Sequence, residues 1–404
     1  MRLLIAGGGT GGHLYPGIAV AEEVVRRGGQ VLFVGTSRGL EARAVPAAGY
    51  ALELLEVSGL KRVGPMAVLR GLLRLPGAFL RSLSILRRFR PDVVLGVGGY
   101  ASGPLVLAAA LWRYPTAIQE QNSVPGITNR ILSRLVRVVV VAFDEARGFF
   151  PAGKSETIGN PVRSKLVATL TAGAGNDEPS ASPSILVVGG SQGARAVNDL
   201  VLAAVEMLAK NQPLQVDGME PGESRSAPLP AGERPPTSAS AGEGPLAPGR
   251  LAKSGSLPAI VHQTGPSDED RCRERYRALG VADRVNVRPF IDDMAAEYHR
   301  ASLVVARAGA LTLAELAIAG RPAILIPLPT AADDHQSKNA ARFAQVGAAL
   351  VLDQRTFTGA ELAQLLRDLL ADSARRQAMA EAMRSLARPK AAADIVDRLE
   401  RLTR

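Results

Sequence analysis

Cysteine is almost absent from this 404-residue chain, which contains only Cys272. That excludes a disulfide framework and leaves too few thiolates for a Cys-based zinc site, and it fits a reducing compartment. Aromatic residues make up only 4% of the chain, with a single Trp. Any core must therefore be built from Ala, Val and Leu, which suits alternating strands and helices better than a β-sandwich. No charge-free apolar run reaches the length needed to span a bilayer. The apolar run at residues 3–6 is too short for a signal peptide and reads as a buried first strand. A soluble or peripheral protein is expected.

What the chain does have is enough apolar material, 47%, for two cores at this length. It also has a formal net charge of +10. A basic balance points to nucleic acid, an anionic membrane surface or phosphorylated substrates. A general preference for Arg accounts for part of the excess, because Lys is rare.

One pattern occurs twice. Residues 2–6 form a β-like run ending in Gly7-Gly8-Gly9-Thr10-Gly11-Gly12-His13, with a helical pattern over 19–27. Residues 185–188 form another, ending in Gly189-Gly190-Ser191-Gln192-Gly193-Ala194, with a helical pattern over 197–210. Further β-like runs lie at 31–34, 93–95, 117–119, 136–141, 260–263, 285–287, 303–306 and 323–326, most of them followed by helical stretches. Continuous apolar strands alternating with helices imply parallel sheets covered on both faces. The expected fold class is α/β, with two Rossmann-like, doubly wound domains over residues 1–160 and 161–404. Residues 171–184 read as a linker. Residues 217–258, dense in Pro, Gly, Ser and Glu, read as a disordered insertion.

The spacing Gly7-x-Gly9-x-x-Gly12 formally fits a dinucleotide turn. However, residues 31–34 run into Gly35-Thr36-Ser37, with no acid to hold a ribose. The second loop lacks the Lys of a P-loop. Neither NAD nor ATP is well supported, and no cofactor is expected. A tight glycine turn at a helix start still offers amides and a favourable dipole to an anion. Two such turns facing one cleft would suit a pair of diphosphate substrates, and each alone is equally explained as helix-on-strand packing. Other polar clusters also follow strands: residues 96–103, 119–122, 307–315 and 333–339. In doubly wound folds that is the ligand side.

Taken in order, Gly8-Gly9-Thr10-Gly11-Gly12-His13, Gly98-Gly99-Tyr100, Glu120-Gln121-Asn122, Gly159-Asn160-Pro161-Val162-Arg163, Gly189-Gly190-Ser191-Gln192-Gly193-Ala194, Phe290-Ile291-Asp292-Asp293-Met294 and Gly309-Ala310-Leu311-Thr312 closely resemble the MurG family. These are the N-acetylglucosaminyltransferases that convert lipid I to lipid II in peptidoglycan synthesis, and so serve cell-wall growth, shape and division. The resemblance covers the chain apart from 171–184 and 217–258. It implies a GT-B fold, an inverting transfer of GlcNAc from UDP-GlcNAc to the muramyl 4-hydroxyl of undecaprenyl-diphosphate-MurNAc-pentapeptide, and no metal.

By the same resemblance, Thr10, Gly11 and Gly12 lie near the donor sugar and acceptor diphosphate. Asn122 and Arg163 match donor contacts, as does Ser191, which lies near the phosphates. The backbone of Ile291 matches the group that reads uracil. Ala310, Leu311, Thr312, Leu313, Ala314 and Glu315 match the segment that holds diphosphate and ribose, and Gln336 matches a GlcNAc contact. Amides at a helix start would stabilise a departing diphosphate. Arg163 and Arg307 could neutralise it, and Glu315 could accept from ribose hydroxyls. His13 is a candidate general base, because imidazole titrates near neutrality. Organising the diphosphate pocket by hydrogen bonding is an equal reading of His13. Glu120 is the second candidate base, with an ion pair across the cleft as its plainer alternative. His262 and His299 read as structural. Three departures from relatives, Gln119, the Ala306 and Ala308 flanking Arg307, and His335, touch only fine contacts.

Residues 60–90 hold eight Lys or Arg and no acid. Leu72, Leu75, Phe79, Leu83 and Leu86 share one helical face there, which is partly core and partly a membrane-surface signature. The expectation is a patch of Leu75, Phe79 and Trp112 ringed by Arg70, Arg74 and Arg81. It would sit on an anionic inner membrane, peripherally and on the cytoplasmic side, with no nucleic-acid partner. Three rival readings remain. One is another GT-B enzyme, such as a UDP-GlcNAc epimerase or a different lipid glycosyltransferase. The others are an NAD-dependent oxidoreductase and a non-catalytic nucleotide-sugar binder.

Overall fold

The computed structural model describes residues 1–37, 39–57, 65–172, 183–190, 193–210 and 257–403, with backbone alone for 65–74 and 332. Ser191, Gln192, most of 171–184 and nearly all of 217–258 lie outside the described residues, as do the side chains of Arg70, Leu72 and Arg74.

The first half holds strands β1 (Arg2–Gly7), β2 (Gln30–Gly35), β3 (Ala51–Leu54), β4 (Val93–Gly98), β5 (Thr116–Glu120), β6 (Val138–Val141) and β7 (Ser155–Thr157). The second holds β8 (Ser184–Val188), β9 (Ala259–Gln263), β10 (Val285–Arg288), β11 (Leu303–Ala306), β12 (Ala323–Leu325) and β13 (Ala349–Val351). The sheets run β3-β2-β1-β4-β5-β6-β7 and β10-β9-β8-β11-β12-β13. Every pairing is parallel.

Side chains alternate across a strand, so a strand covered on both faces must be apolar throughout. In β1, Leu3 and Ile5 enter one core while Leu4 and Ala6 enter the core on the opposite face. In β8, Ile185 and Val187 oppose Leu186 and Val188 in the same way. The three strands without a β-like run in the sequence, β3, β7 and β13, are sheet edges of three or four residues. Too little of them is buried to impose a pattern.

Strand order reverses between β1 and β4 in one sheet and between β8 and β11 in the other. Such switch points leave a crevice at the carboxyl ends of the strands. The four segments leaving those ends are the two glycine turns, Gly98-Gly99 and the stretch from Arg307 to Glu315.

The two halves are also tied together. The final helix, Ala391–Glu400, returns to the first half, where Ile395, Val396 and Leu399 join the core of Leu3, Ile5 and Val20. Arg27 bonds Asp397 at 2.5 Å, and Arg398 bonds Glu156 at 2.8 Å.

Candidate functional site

The first turn is shaped by glycines with left-handed backbone. Gly8 has φ +146° and Gly9 +90°, values that side chains rarely adopt. Its helix, Gly11–Arg26, starts inside the glycine run, eight residues before the helical pattern evident in the sequence. Glycine hides the start because it carries no periodicity. Thr10 and Gly12 are exposed, and Gly11 is partly exposed.

His13 stands in the first turn of this helix, partly exposed, with Nδ1 3.2 Å from Thr10 Oγ1. It packs on the β4 loop, where a Cβ on Gly98 would stand 2.6 Å from its ring. Its pKa is lowered to about 4, first by burial and then by His335 from the second half, against an opposing pull from Glu41. The imidazole is therefore neutral at physiological pH, and His13 and His335 face each other electrostatically across the halves.

Glu120 ends β5 and is 2% exposed. Its carboxylate accepts from Asn129 Nδ2 at 2.8 Å and from the backbone of Asn122 at 3.0 Å and Gly126 at 3.3 Å. Burial raises its pKa, opposed by these bonds. Glu120 thus holds its own loop, and neither a base poised at the cleft nor a cross-cleft ion pair describes this geometry. The loop it shapes meets the second half. Asn339, on the helix His335–Gln345, accepts from the backbone and hydroxyl of Ser123 at 2.9 Å each and donates to Asn122 Oδ1 at 3.2 Å.

In the second half, Gly309 precedes the helix Ala310–Ala319, which has no side-chain cap and no acid in its first turn. Early helical amides without partners attract anions. Leu313 is withdrawn from that role, because its amide donates to Gly309 O at 3.0 Å and its side chain is buried. Leu311, Thr312, Ala314 and Glu315 remain partly exposed, and Ala310 is buried. Glu315 accepts from Tyr298 O–H at 3.1 Å. Its pKa is raised to about 7, chiefly by burial, with Tyr298 and Arg163 pulling the other way. Arg163 is exposed and lies over the Tyr15 ring of the first half, 5.3 Å from its centroid.

Arg307 departs from its expected role. It is 9% exposed, and its guanidinium donates to the carbonyls of Ile326 and Pro327 at 3.0 and 3.1 Å and to Gln354 at 2.6 Å. These bonds turn the cation into the loop after β12 rather than toward a leaving diphosphate. Gln336 fastens the same loop, accepting from Leu328 N at 2.9 Å. The chain reaches Gln336 through Asp333 and Asp334, both left-handed with φ near +54° and +53°, a conformation that Asp tolerates better than most residues.

Ile291 buries its side chain and so fixes the loop after β10. His262 is fully buried between Tyr276 and Asn198, and His299 lies 3.0 Å from Thr169 O. Both occupy structural settings.

Comparison with known proteins agrees with this architecture. The glycosyltransferase family 28 N-terminal domain matches residues 3–141, and the family 28 C-terminal domain matches residues 184–399. A protein of Anaeromyxobacter dehalogenans, named UDP-N-acetylglucosamine--N-acetylmuramyl-(pentapeptide) pyrophosphoryl-undecaprenol N-acetylglucosamine transferase, is 45% identical, over 98% of this chain and 92% of its own length. Its namesake from Geobacter sulfurreducens is 40% identical, over 100% of this chain and 99% of its own. The crystal structure of Acinetobacter baumannii MurG superposes with a TM-score of 0.73 at 29% identity, covering 99% of both chains. A UDP-GlcNAc 2-epimerase from Neisseria meningitidis, at 13% identity and TM-score 0.64 over 99% and 100% of the two chains, shares the fold alone. The chain is a glycosyltransferase with the GT-B fold, and it belongs to glycosyltransferase family 28 and, within it, to the MurG family.

Proposed function

We propose that the chain transfers GlcNAc from UDP-GlcNAc to the 4-hydroxyl of an undecaprenyl-diphosphate-linked MurNAc-pentapeptide, with inversion. The observation that carries this reading is a neutral imidazole, His13, in the first turn of its helix and within electrostatic reach of His335 from the other half, together with an uncapped helix start at Ala310 in that half. As the acceptor oxygen bonds to the anomeric carbon, its proton passes to His13. The bond from that carbon to the UDP oxygen breaks, and UDP leaves with the electron pair.

The amides of Ala310, Leu311 and Thr312 meet the diphosphate, and Glu315 accepts from the ribose. Arg163, beside Tyr15, answers the charge of the departing UDP. Asn122, held by Asn339, and Gln336, held by Leu328, face the sugar. Glu120 and Arg307 position loops. Thr10, Gly11 and Gly12 border the place where acceptor and donor sugar meet.

A lipid acceptor requires access to a membrane surface. Among the described residues no helix is long and apolar enough to cross a membrane. Leu75, Leu80, Leu111 and Trp112 are exposed, and Phe79 packs edge-on against Trp112 at 6.0 Å. Leu83 and Leu86, on the same helix Pro65–Phe89, are core. Arg81 is bonded to Glu53 at 3.1 Å, so it borders this patch as one half of an ion pair. We read the patch as the seat on an anionic membrane at the cytoplasmic face, with no nucleic-acid partner.

The test is UDP release from UDP-GlcNAc with and without a short-chain lipid-linked MurNAc-pentapeptide, with the product's mass recorded. Acceptor-dependent release and one added GlcNAc support transfer. Epimerisation without acceptor, or binding without turnover, overturns it.

A further inference from the structure

The first glycine turn does not leave all its amides open. The Gly9 amide donates to Glu41 Oε2 at 2.7 Å. The other oxygen, Oε1, accepts from the Thr36 amide and hydroxyl at 2.8 Å each. Glu41 is 1% exposed. Its cage is cut from glycine. A Cβ on Gly8 would stand 2.2 Å from the Glu41 carboxyl carbon, one on Gly35 2.4 Å from Cγ, and one on Gly39 2.0 Å from Oε2. No side chain fits at any of these positions while the carboxylate stays where it is. The opposite side of the turn is closed as well, with Gly8 N donating to Gly98 O at 3.3 Å and Gly99 lying against Gly8 O.

In doubly wound folds, amides of such a turn bind a phosphate. Here a buried carboxylate of the chain itself stands in that place. We propose that Glu41 is a built-in anion of the first turn: a positioning residue that locks the turn leading into the helix of His13 and denies the Gly9 amide to the acceptor's diphosphate. A second anion against Gly9 would meet Glu41 at close range, and like charges there are strongly unfavourable. The acceptor's diphosphate is consequently received outside this amide. The inference rests on the transfer reading only for its kinetic consequence. The lock itself is independent of what the enzyme acts on.

Two measurements on the full-length protein separate these parts. The first is hydrogen exchange at the Gly9 amide. Gly9 is exposed, so its amide should be protected in the wild type through Glu41 and should lose that protection in Glu41→Gln and Glu41→Ala. A Gly9 amide that exchanges freely in the folded wild type overturns the lock whatever the substrates are. The second is kinetic. A charge-assisted hydrogen bond of this kind corresponds to about tenfold or more in rate. Glu41→Gln should lower kcat by that factor and leave the KM for UDP-GlcNAc within about twofold. It should also move the acid limb of the pH profile to lower pH, because the upward pull of Glu41 on His13 is gone. For Glu41→Ala, added acetate should restore part of the lost kcat by refilling the cage. Thr36→Ala, which keeps the carboxylate and removes one donor, should show a weaker loss of the same kind. An unmoved acid limb in folded Glu41→Gln, a loss that falls on donor KM, or no acetate rescue with Thr36→Ala like wild type would each overturn the positioning role. Absence of acceptor-dependent turnover in the wild type would instead count against the transfer reading and leave the exchange result standing.

Discussion

The two halves use one supersecondary unit, a strand running through a tight turn into a helix, for opposite electrostatic ends. Beside β1, the turn is filled by the chain's own Glu41 and backed by the carbonyl of Gly98. Beside β11, the helix start at Ala310 has neither a capping side chain nor an acid, and Arg163 stands near. A glycine-rich turn is therefore not by itself an anion site. What decides is whether its amides already have partners. We read the first half as built to hold a neutral imidazole and the second to hold negative charge.

The largest expected effect breaks the first side of this comparison. His13→Ala should lower kcat by roughly 10²–10⁴-fold, the usual share of a general base, with UDP-GlcNAc affinity little changed. Single-turnover rates beside calorimetric titration check both. A preserved rate with weakened donor binding would make His13 a pocket organiser instead.

On the second side, Glu315→Ala should weaken UDP binding by about 1.5–3 kcal/mol, the range for hydrogen bonds to a charged group. The pH dependence follows from a pKa raised to about 7. In the free protein Glu315 holds its proton more tightly than in the unfolded chain, so its contribution to stability is present below pH 4.5 and is lost as pH rises through 7. A ribose that donates to the carboxylate favours the ionised form. Thermal stabilisation by UDP should therefore grow from pH 6 to pH 8, and Glu315→Gln should flatten that growth relative to the titration of UDP itself.

Arg307→Lys sharpens the distinction between holding a loop and holding a ligand. Three fixed donor contacts become one mobile ammonium. A stability loss of about 1–3 kcal/mol is expected, seen in denaturant melts, with a smaller change in donor KM. A donor KM collapse at unchanged stability would return Arg307 to the diphosphate. The smallest effect is at the surface. Trp112→Ser should reduce binding to anionic vesicles severalfold and leave turnover of a water-soluble acceptor intact, since an exposed aromatic on this patch contributes only part of its burial energy. Unaltered vesicle binding would remove Trp112 from the seat.

Much of the frame was legible in the sequence because it follows from periodicity. The runs at 3–6 and 185–188 are apolar at every position, as strands buried on both faces must be, and each leads into glycine. The clusters at 307–315 and 333–339 follow strands, where an open sheet carries its ligands. What periodicity does not carry is the direction of a polar side chain. Arg307 adjoins the Gly-Ala-Leu-Thr run and looked like a ligand for diphosphate, but three acceptors lie behind it, supplied by residues 19 to 47 positions away. Glu120 ends a strand at the cleft, yet its own loop supplies its donors. Glu41 does not stand out in the sequence, because residues 35–37, where a ribose-binding acid would follow β2, contain none. The acid comes four residues later and turns back on the glycine turn, not toward a ribose. The available signal was crowding: Gly35 and Gly39 bracket the approach to a single carboxylate. Ser123 and Asn339 were invisible as a pair, since only the folded halves bring them together.

The charge state of His13 in the assembled enzyme decides the contrast between the halves, and NMR titration of its ring, assigned by comparison with His13→Gln, measures it directly. The expected result is titration near pH 4, so that the imidazole is neutral at physiological pH and gains its proton only as the acceptor oxygen bonds to the anomeric carbon. Titration at or above about 6.5, the value of a free imidazole, would contradict it. The ring would then behave as a free imidazole, untouched by the burial and the His335 field that lower it here, and the contrast between the two halves would fail.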